Sequence, residues 1–165
     1  MTLIAIDGPA GAGKTTLAAK FFTEFSIDKS VVVIHMDDLY DGWDNALSNA
    51  LSSTLAEILQ AYKTRSVLTL PIYNWSTMGF DSTRSFQPSE IVIIEGVGAG
   101  QKIVRDAGAT LYWLDIEPEM GLARVLQRDG FEIESQMRQW QITQDAHFAG
   151  DATRMHADHI ITSQA

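Results

Sequence analysis

The sequence has no cysteine, few basic residues and no hydrophobic run long enough to cross a membrane. Without cysteine the chain can form neither disulfides nor thiolate metal sites. Its 12 Lys and Arg residues are outnumbered by 21 Asp and Glu residues, and the formal net charge of −9 argues against binding to a nucleic acid polymer. The lack of a signal peptide and of a spanning run predicts a cytoplasmic protein without membrane contact.

Internal repeats, low-complexity tracts and interdomain linkers are also missing from the sequence. A chain of 165 residues, of which 45% are hydrophobic, has the size and composition of one domain with a packed core. We therefore expect a single domain over residues 1–165. The sequence carries no indication of the oligomeric state.

The chain does contain a glycine-rich stretch, Gly8–Thr15. It matches the pattern Gly-x-x-x-x-Gly-Lys-Thr, in which x is any residue. In such a loop the backbone N–H groups wrap around a polyphosphate, and small residues leave room for it. Lys14 can then reach the β- and γ-phosphates, and the Thr15 hydroxyl can join a Mg²⁺ shell. We expect ATP and Mg²⁺ as cofactors. The predicted nucleotide-binding residues are Gly8, Pro9, Ala10, Gly11, Ala12, Gly13, Lys14, Thr15 and Thr16.

Short apolar and β-branched runs alternate with helical patterns along the chain. The predicted strands are residues 3–6, 31–36, 91–94, 110–114 and 159–162. The predicted helices follow the glycine-rich loop and cover residues 45–62, 118–129 and 133–148, with Trp140 as a core residue. This alternation predicts an α/β fold of the P-loop NTPase type, a doubly wound five-stranded parallel sheet with helices on both faces.

Residues 64–90 show neither the apolar spacing of a helix nor that of a strand. They hold several aromatic residues among polar ones, including Tyr73, Trp75 and Phe86. This composition predicts a long aromatic loop, which either contacts substrate or packs as an ordinary loop. Substrate contact is favoured, because the segment is too rich in aromatic residues for a solvated spacer.

Among the carboxylates that follow predicted strands are Asp37-Asp38 after the second strand and Glu95 after the third. In an open α/β sheet, ligands bind beyond the carboxyl ends of the strands. We therefore predict Asp37 as the general base on an acceptor hydroxyl, with Asp38 as the alternative base, and Glu95 as a carboxylate that holds Mg²⁺ directly or indirectly. A helix cap or a solvated acid is the other interpretation of the aspartates.

Two cations, Arg124 and Arg128, lie four residues apart on one face of the helix predicted at 118–129. Phosphoryl transfer needs cations over the transferring group, so we predict both as catalytic residues of a lid at about 122–132. Surface ion pairs with neighbouring acids are the alternative interpretation.

Together these motifs resemble the P-loop kinases of the uridine kinase and phosphoribulokinase type, and among them the small uridine kinase-like proteins of actinobacteria. The resemblance covers nearly the whole chain. The similar segments are the phosphate loop at 6–16, the Asp-x-x-Tyr signature at 37–40, the Glu-Gly form of Walker B at 95–96, Pro71-Ile72-Tyr73-Asn74-Trp75, and the lid Arg124–Asp129. The resemblance implies that Asp37 is the general base. The predicted acceptor-binding residues are Asp37, Tyr40, Tyr73, Trp75 and Arg84.

The leading hypothesis is an ATP/Mg²⁺-dependent kinase that transfers the γ-phosphate to a hydroxyl of a nucleoside-like or other small acceptor. Asn74 stands where uridine kinases carry Asp, and their following histidine is missing from residues 76–78, which argues against uridine itself. One alternative is a regulatory nucleotide-binding protein without an acceptor. Another is a nucleoside monophosphate kinase, for which Lys63, Arg65 and Arg84 are the available cations.

Overall fold

The computed structural model describes residues 1–162, so the last three residues of the expected 1–165 domain lie outside the described residues. The strands are β1 (Thr2–Asp7), β2 (Val31–His35), β3 (Leu68–Asn74), β4 (Gly79–Phe86), β5 (Ile91–Glu95), β6 (Thr110–Asp115) and β7 (His159–Thr162). The α-helices are α1 (Lys14–Phe25), α2 (Asn49–Thr64), α3 (Lys102–Asp106), α4 (Pro118–Asp129) and α5 (Glu134–Asp151). Among these elements, no helix is long and apolar enough to span a bilayer.

Five of the strands form one parallel sheet in the order β2-β5-β1-β6-β7. The strands β1 and β5 lie inside the sheet, and their continuous apolar runs are buried on both faces, as is typical of parallel sheets. Helix α1 packs on one face against Ile4, Ile6 and Ile93. The other helices contribute to the core on the opposite face, around Ala5 and Ile94. The predicted five-stranded parallel sheet with helices on both faces is therefore confirmed.

The prediction of a long loop over residues 64–90 is wrong, because β3 and β4 form an antiparallel hairpin there. The strand β4 is exposed along most of its length and therefore polar, which hides the strand pattern. Pro71 is tolerated in β3 because the ribbon has only two strands. At the turn, the side-chain oxygen of Asn74 accepts hydrogen bonds from the backbone N–H groups of Ser76 and Thr77.

Helix α2 begins at Asn49, four residues later than predicted from the apolar spacing. Residues 41–48 instead form turns that place Trp43 against Trp75 of the hairpin and Trp140 of α5. The short helix α3 was not predicted. These loops and the hairpin turn gather beyond the carboxyl ends of β1, β2 and β5.

Candidate active site

The phosphate loop connects β1 to α1 and lies in close contact with helix α4. Gly11 has a positive φ of 79°, and a Cβ there would lie 2.3 Å from the carbonyl oxygen of Gly121 in α4. Glycine is required at this position both for the backbone conformation and for the space. Helix α1 begins at Lys14 with no acidic residue in its first turn, so its N-terminal N–H groups suit an anion.

Asp7, to which the sequence analysis assigns no role, holds the loop from below. Its fully buried carboxylate accepts hydrogen bonds from the backbone N–H groups of Gly8 (2.7 Å), Gly98 (3.0 Å) and Gly100 (2.7 Å). Burial raises the pKa of Asp7 to about 6, although these hydrogen bonds and Lys14 oppose the shift. The same signal that marks Asp37 and Glu95, an acid at the end of a buried strand, could have identified Asp7.

Lys14 is buried, and its ammonium group lies over the phosphate loop. The Nζ atom donates hydrogen bonds to the carbonyl oxygens of Gly8 (2.7 Å) and Pro9 (2.8 Å). Burial lowers the pKa of Lys14, while the nearby carboxylates, Asp7 first among them, oppose that shift. Attraction to these acids keeps a cation where the loop would receive phosphates.

Beside the loop, Thr15 and Glu95 come together from α1 and β5. The Thr15 hydroxyl donates a hydrogen bond of 3.1 Å to Glu95 Oε1. Hydroxyl and carboxylate oxygens are the ligand types that Mg²⁺ prefers, so the residues present fit a Mg²⁺ ion. His35 Nδ1 lies 2.5 Å from the same carboxylate oxygen, and this hydrogen bond raises the pKa of His35. Sequence analysis missed His35, since its contact with Glu95 depends on the pairing of β2 with β5.

The two aspartates after β2 have different surroundings. Asp37 opens into the cavity described below, and protein atoms surround it there. Asp37 is still exposed to solvent, but the partial loss of solvation beside the surrounding protein atoms, together with the Glu95 carboxylate, raises the pKa of Asp37. Asp38 points elsewhere, and its Oδ2 accepts a hydrogen bond of 2.7 Å from Arg84 of β4.

The two arginines of α4 reach the phosphate loop and the cavity. A guanidinium nitrogen of Arg124 lies 3.5 Å from the Gly11 carbonyl oxygen. Arg128 donates two hydrogen bonds to its neighbour Asp129, which raises the pKa of Arg128. A surface ion pair is therefore present at Arg128, although its side chain also lines the cavity.

These groups surround one cavity of about 580 Å³. Its nucleotide side is lined by Ala10, Gly11, Gly13, Lys14, Thr15, Thr16, Glu95, Arg124 and Arg128. Its aromatic side, defined by Tyr40, Trp43, Trp75 and Trp140, lies next to Asp37. Trp43 and Trp140 were not predicted as site residues, because nothing local marks either one.

Several predicted site residues lie outside the lining of this cavity. These are Gly8, Pro9, Ala12, Tyr73 and Arg84. Tyr73 is buried behind Trp75, at a distance of 5.0 Å between ring centroids. Arg84 contacts Asp38 instead of the cavity. Within the described part of the chain, the cations in the lining are Lys14, Arg124 and Arg128.

Comparison with known proteins shows the family of the chain. The model of the phosphoribulokinase / uridine kinase family matches residues 3–162. A uridine kinase from Lactobacillus johnsonii is 25% identical over 180 residues, which cover 96% of this chain and 85% of that protein. A phosphoribulokinase from Synechocystis sp. is 27% identical over 141 residues, which cover 78% of this chain and 42% of that protein.

Solved structures share the fold. A possible uridine kinase from Bacillus stearothermophilus superposes with a TM-score of 0.72 at 22% identity, covering 97% of this chain and 88% of that chain. A shikimate kinase from Bacteroides thetaiotaomicron superposes with a TM-score of 0.56 at 18% identity, covering 98% of this chain and 85% of that chain. The predicted P-loop fold is thereby confirmed.

Proposed function

Since the chain belongs to the phosphoribulokinase / uridine kinase family, we propose that it is a kinase that transfers the γ-phosphate of ATP to a hydroxyl group of a small acceptor. The observation that carries this proposal is the cavity in which Lys14, Glu95 and Asp37 meet the arginines of α4. We propose residues 1–165 as one kinase domain, with residues 122–132 as its lid.

In this proposal the phosphate loop binds the donor. The N–H groups at the start of α1 and the Lys14 ammonium receive the phosphates, and Lys14 then exchanges its bonds to the Gly8 and Pro9 carbonyls for bonds to phosphate oxygens. The Thr15 hydroxyl and the Glu95 carboxylate would hold Mg²⁺, which neutralises charge on the phosphates when bound. His35 orients Glu95 through its hydrogen bond.

Asp37 acts on the acceptor. Its carboxylate accepts the proton of the acceptor hydroxyl while the hydroxyl oxygen bonds to the γ-phosphorus and the bond to the leaving ADP breaks. The raised pKa of Asp37 makes it a better proton acceptor than an ordinary carboxylate. Arg124 and Arg128, which line the cavity, would stabilise the charge of the transferring group.

The decisive experiment compares Asp37→Asn with Asp38→Asn. Asparagine keeps the size of the side chain but cannot take the proton, so we expect Asp37→Asn to lower kcat about 100-fold or more, with the Kd for ATP nearly unchanged. The matched variant Asp38→Asn should retain kcat within a few fold, because Asp38 faces Arg84. Acceptor-dependent ADP release, checked by mass spectrometry of the product, measures both variants. Wild-type turnover of Asp37→Asn would remove Asp37 as the base.

The two alternatives fit the cavity less well. A nucleoside monophosphate kinase needs cations for the second phosphate, but within residues 1–162 the candidates Lys63, Arg65 and Arg84 do not line the cavity. A regulatory protein would leave residues 71–86 without an acceptor to enclose, whereas Trp75 of this segment lines the cavity. A protein that releases ADP at the same rate with and without every acceptor would favour the regulatory alternative.

A further inference from the structure

The aromatic side of the cavity is made of rings set at steep angles to one another. Trp43 lies 5.1 Å from Trp75 at 63° and 6.2 Å from Trp140 at 76°, and Tyr40 lies 5.4 Å from Trp140 at 52°, measured between ring centroids. Three of the four tryptophans of the chain are therefore used in one wall. Ile133 and Met137 complete this wall with apolar side chains.

Few polar groups are available on this wall. The Tyr40 hydroxyl already donates a hydrogen bond of 2.7 Å to the Val97 carbonyl, and the Trp75 indole donates one of 3.0 Å to the Asp37 carbonyl. Among the described residues, no Asn, Gln, Ser or His side chain lines the cavity. A sugar or nucleobase would leave several polar groups unpaired there, which is unfavourable. The wall suits an acceptor with few hydrogen-bonding groups besides its hydroxyl.

One carboxylate of the cavity lining, Asp37, lies next to the wall. The cations of the lining that the structure describes lie on the phosphate loop and α4, on the nucleotide side. Of the four aspartates from Asp37 to Asp44, only Asp37 lines the cavity, and Asp38 is paired with Arg84. A cation there is attracted both by the faces of Trp and Tyr rings and by the Asp37 carboxylate.

We propose that the acceptor is a small cationic amino alcohol, whose ammonium group binds among Tyr40, Trp43, Trp75 and Trp140 while its hydroxyl meets Asp37. This inference rests on the proposed kinase function. The hydroxyl oxygen bonds to the γ-phosphorus, its proton passes to Asp37, and the products are ADP and the phosphate monoester of the amino alcohol. No oxidant or further reactant is needed.

The test compares choline with 3,3-dimethylbutan-1-ol, which has nearly the same shape but no charge. Ethanolamine, uridine and glucose complete the acceptor panel. Transfer is measured as acceptor-dependent ADP release. Binding is measured by tryptophan fluorescence with Mg²⁺ and a non-hydrolysable ATP analogue. We expect choline or ethanolamine to bind and react about tenfold better than the neutral alcohol.

Ring variants locate the effect. Trp43→Leu should reduce the preference for choline over the neutral alcohol several fold, and Trp43→Phe should restore much of it, because Phe keeps a ring face. The control Phe22→Leu removes a ring that is exposed on α1 and should leave the preference unchanged. A preference that survives Trp43→Leu would contradict the assigned ring site.

The outcomes separate this inference from the kinase proposal. Transfer to uridine or glucose, without transfer to choline or ethanolamine, would overturn the cationic acceptor and leave the kinase standing. Equal binding and equal use of choline and the neutral alcohol would also overturn it. Preferred binding of choline without transfer to any acceptor would overturn the kinase and leave the cation site. Neither binding nor transfer in the panel would overturn both.

Discussion

Asp7 and Asp37 are both acids that follow a buried strand, but the groups around them differ. Asp7 turns inward and accepts three hydrogen bonds from the backbone of two glycine-containing turns. Asp37 opens into the cavity beside the aromatic wall. Full burial raises the pKa of Asp7, and partial loss of solvation raises that of Asp37, which remains exposed to the cavity. The direction of each side chain thus separates a supporting acid from a candidate base.

The raised pKa of Asp7 has a consequence for stability. Its pKa rises from 3.8 in the unfolded chain to about 6 in the fold, so between these values the folded state binds more protons and loses stability as pH rises. The loss amounts to roughly 3 kcal/mol by the usual conversion. In urea unfolding, the free energy of unfolding of the wild type, relative to that of Asp7→Asn, should therefore fall between pH 4 and pH 7. A difference in unfolding free energy that does not change with pH would contradict the raised pKa of Asp7.

At the scale of elements, the phosphate loop and α4 approach each other closely. A Cβ at Gly121 would lie 2.6 Å from the Ala10 carbonyl oxygen, so glycine lets the helix backbone touch the loop. Arg124 and Arg128 follow about one and two turns later on the same helix. Close packing at Gly121 therefore determines how far the two guanidinium groups extend over the loop.

Gly121→Ala tests this contact. The added methyl group forces α4 away from the loop, so we expect a loss of about 1–3 kcal/mol in unfolding free energy and weaker ATP binding. Gly150→Ala in α5 is the matched control, since nothing lies within 4 Å of its Cβ. The control should be neutral or slightly stabilising because alanine favours helix. Equal behaviour of the two variants in thermal unfolding and ATP titration would show that the contact is unimportant.

At the scale of the whole molecule, the sheet brings distant segments to one edge. The phosphate loop follows β1, Asp37 follows β2 and Glu95 ends β5, and these three strands are neighbours in the sheet. The protein carries a net charge of −9, so the anion-binding cations are concentrated locally. Binding of a nucleotide at this edge joins elements from both halves of the chain.

Nucleotide binding should therefore stabilise the whole domain. At a concentration of Mg²⁺-ADP about 100 times its Kd, the gain is about 2.7 kcal/mol, or an increase in Tm of roughly 5–10 °C. Lys14→Met should abolish most of this increase, because the phosphates lose their buried cation. Lys20→Met, at an exposed position of α1, is the matched control and should keep the full increase. An increase of equal size in both variants would contradict the role of Lys14.

The sequence by itself determined the phosphate loop and the five-stranded parallel sheet, together with the acids that follow β2 and end β5. Each of these can be predicted from a short local pattern, because a glycine spacing or a continuous apolar run indicates the backbone conformation of the segment that carries it. The hairpin was hidden because the exposed strand β4 carries no apolar period. Its conformation depends on pairing with β3.

Only the tertiary structure decided which residues form the aromatic side of the cavity, across from the phosphate loop. Trp43, Trp75 and Trp140 come from a turn, a hairpin and the last helix, and no local spacing connects them. The same holds for His35 beside Glu95, and for Arg84, which the fold directs to Asp38. The phosphate loop is one contiguous segment, whereas the aromatic side of the cavity depends on the packing of segments about a hundred residues apart, and packing is decided by the fold as a whole.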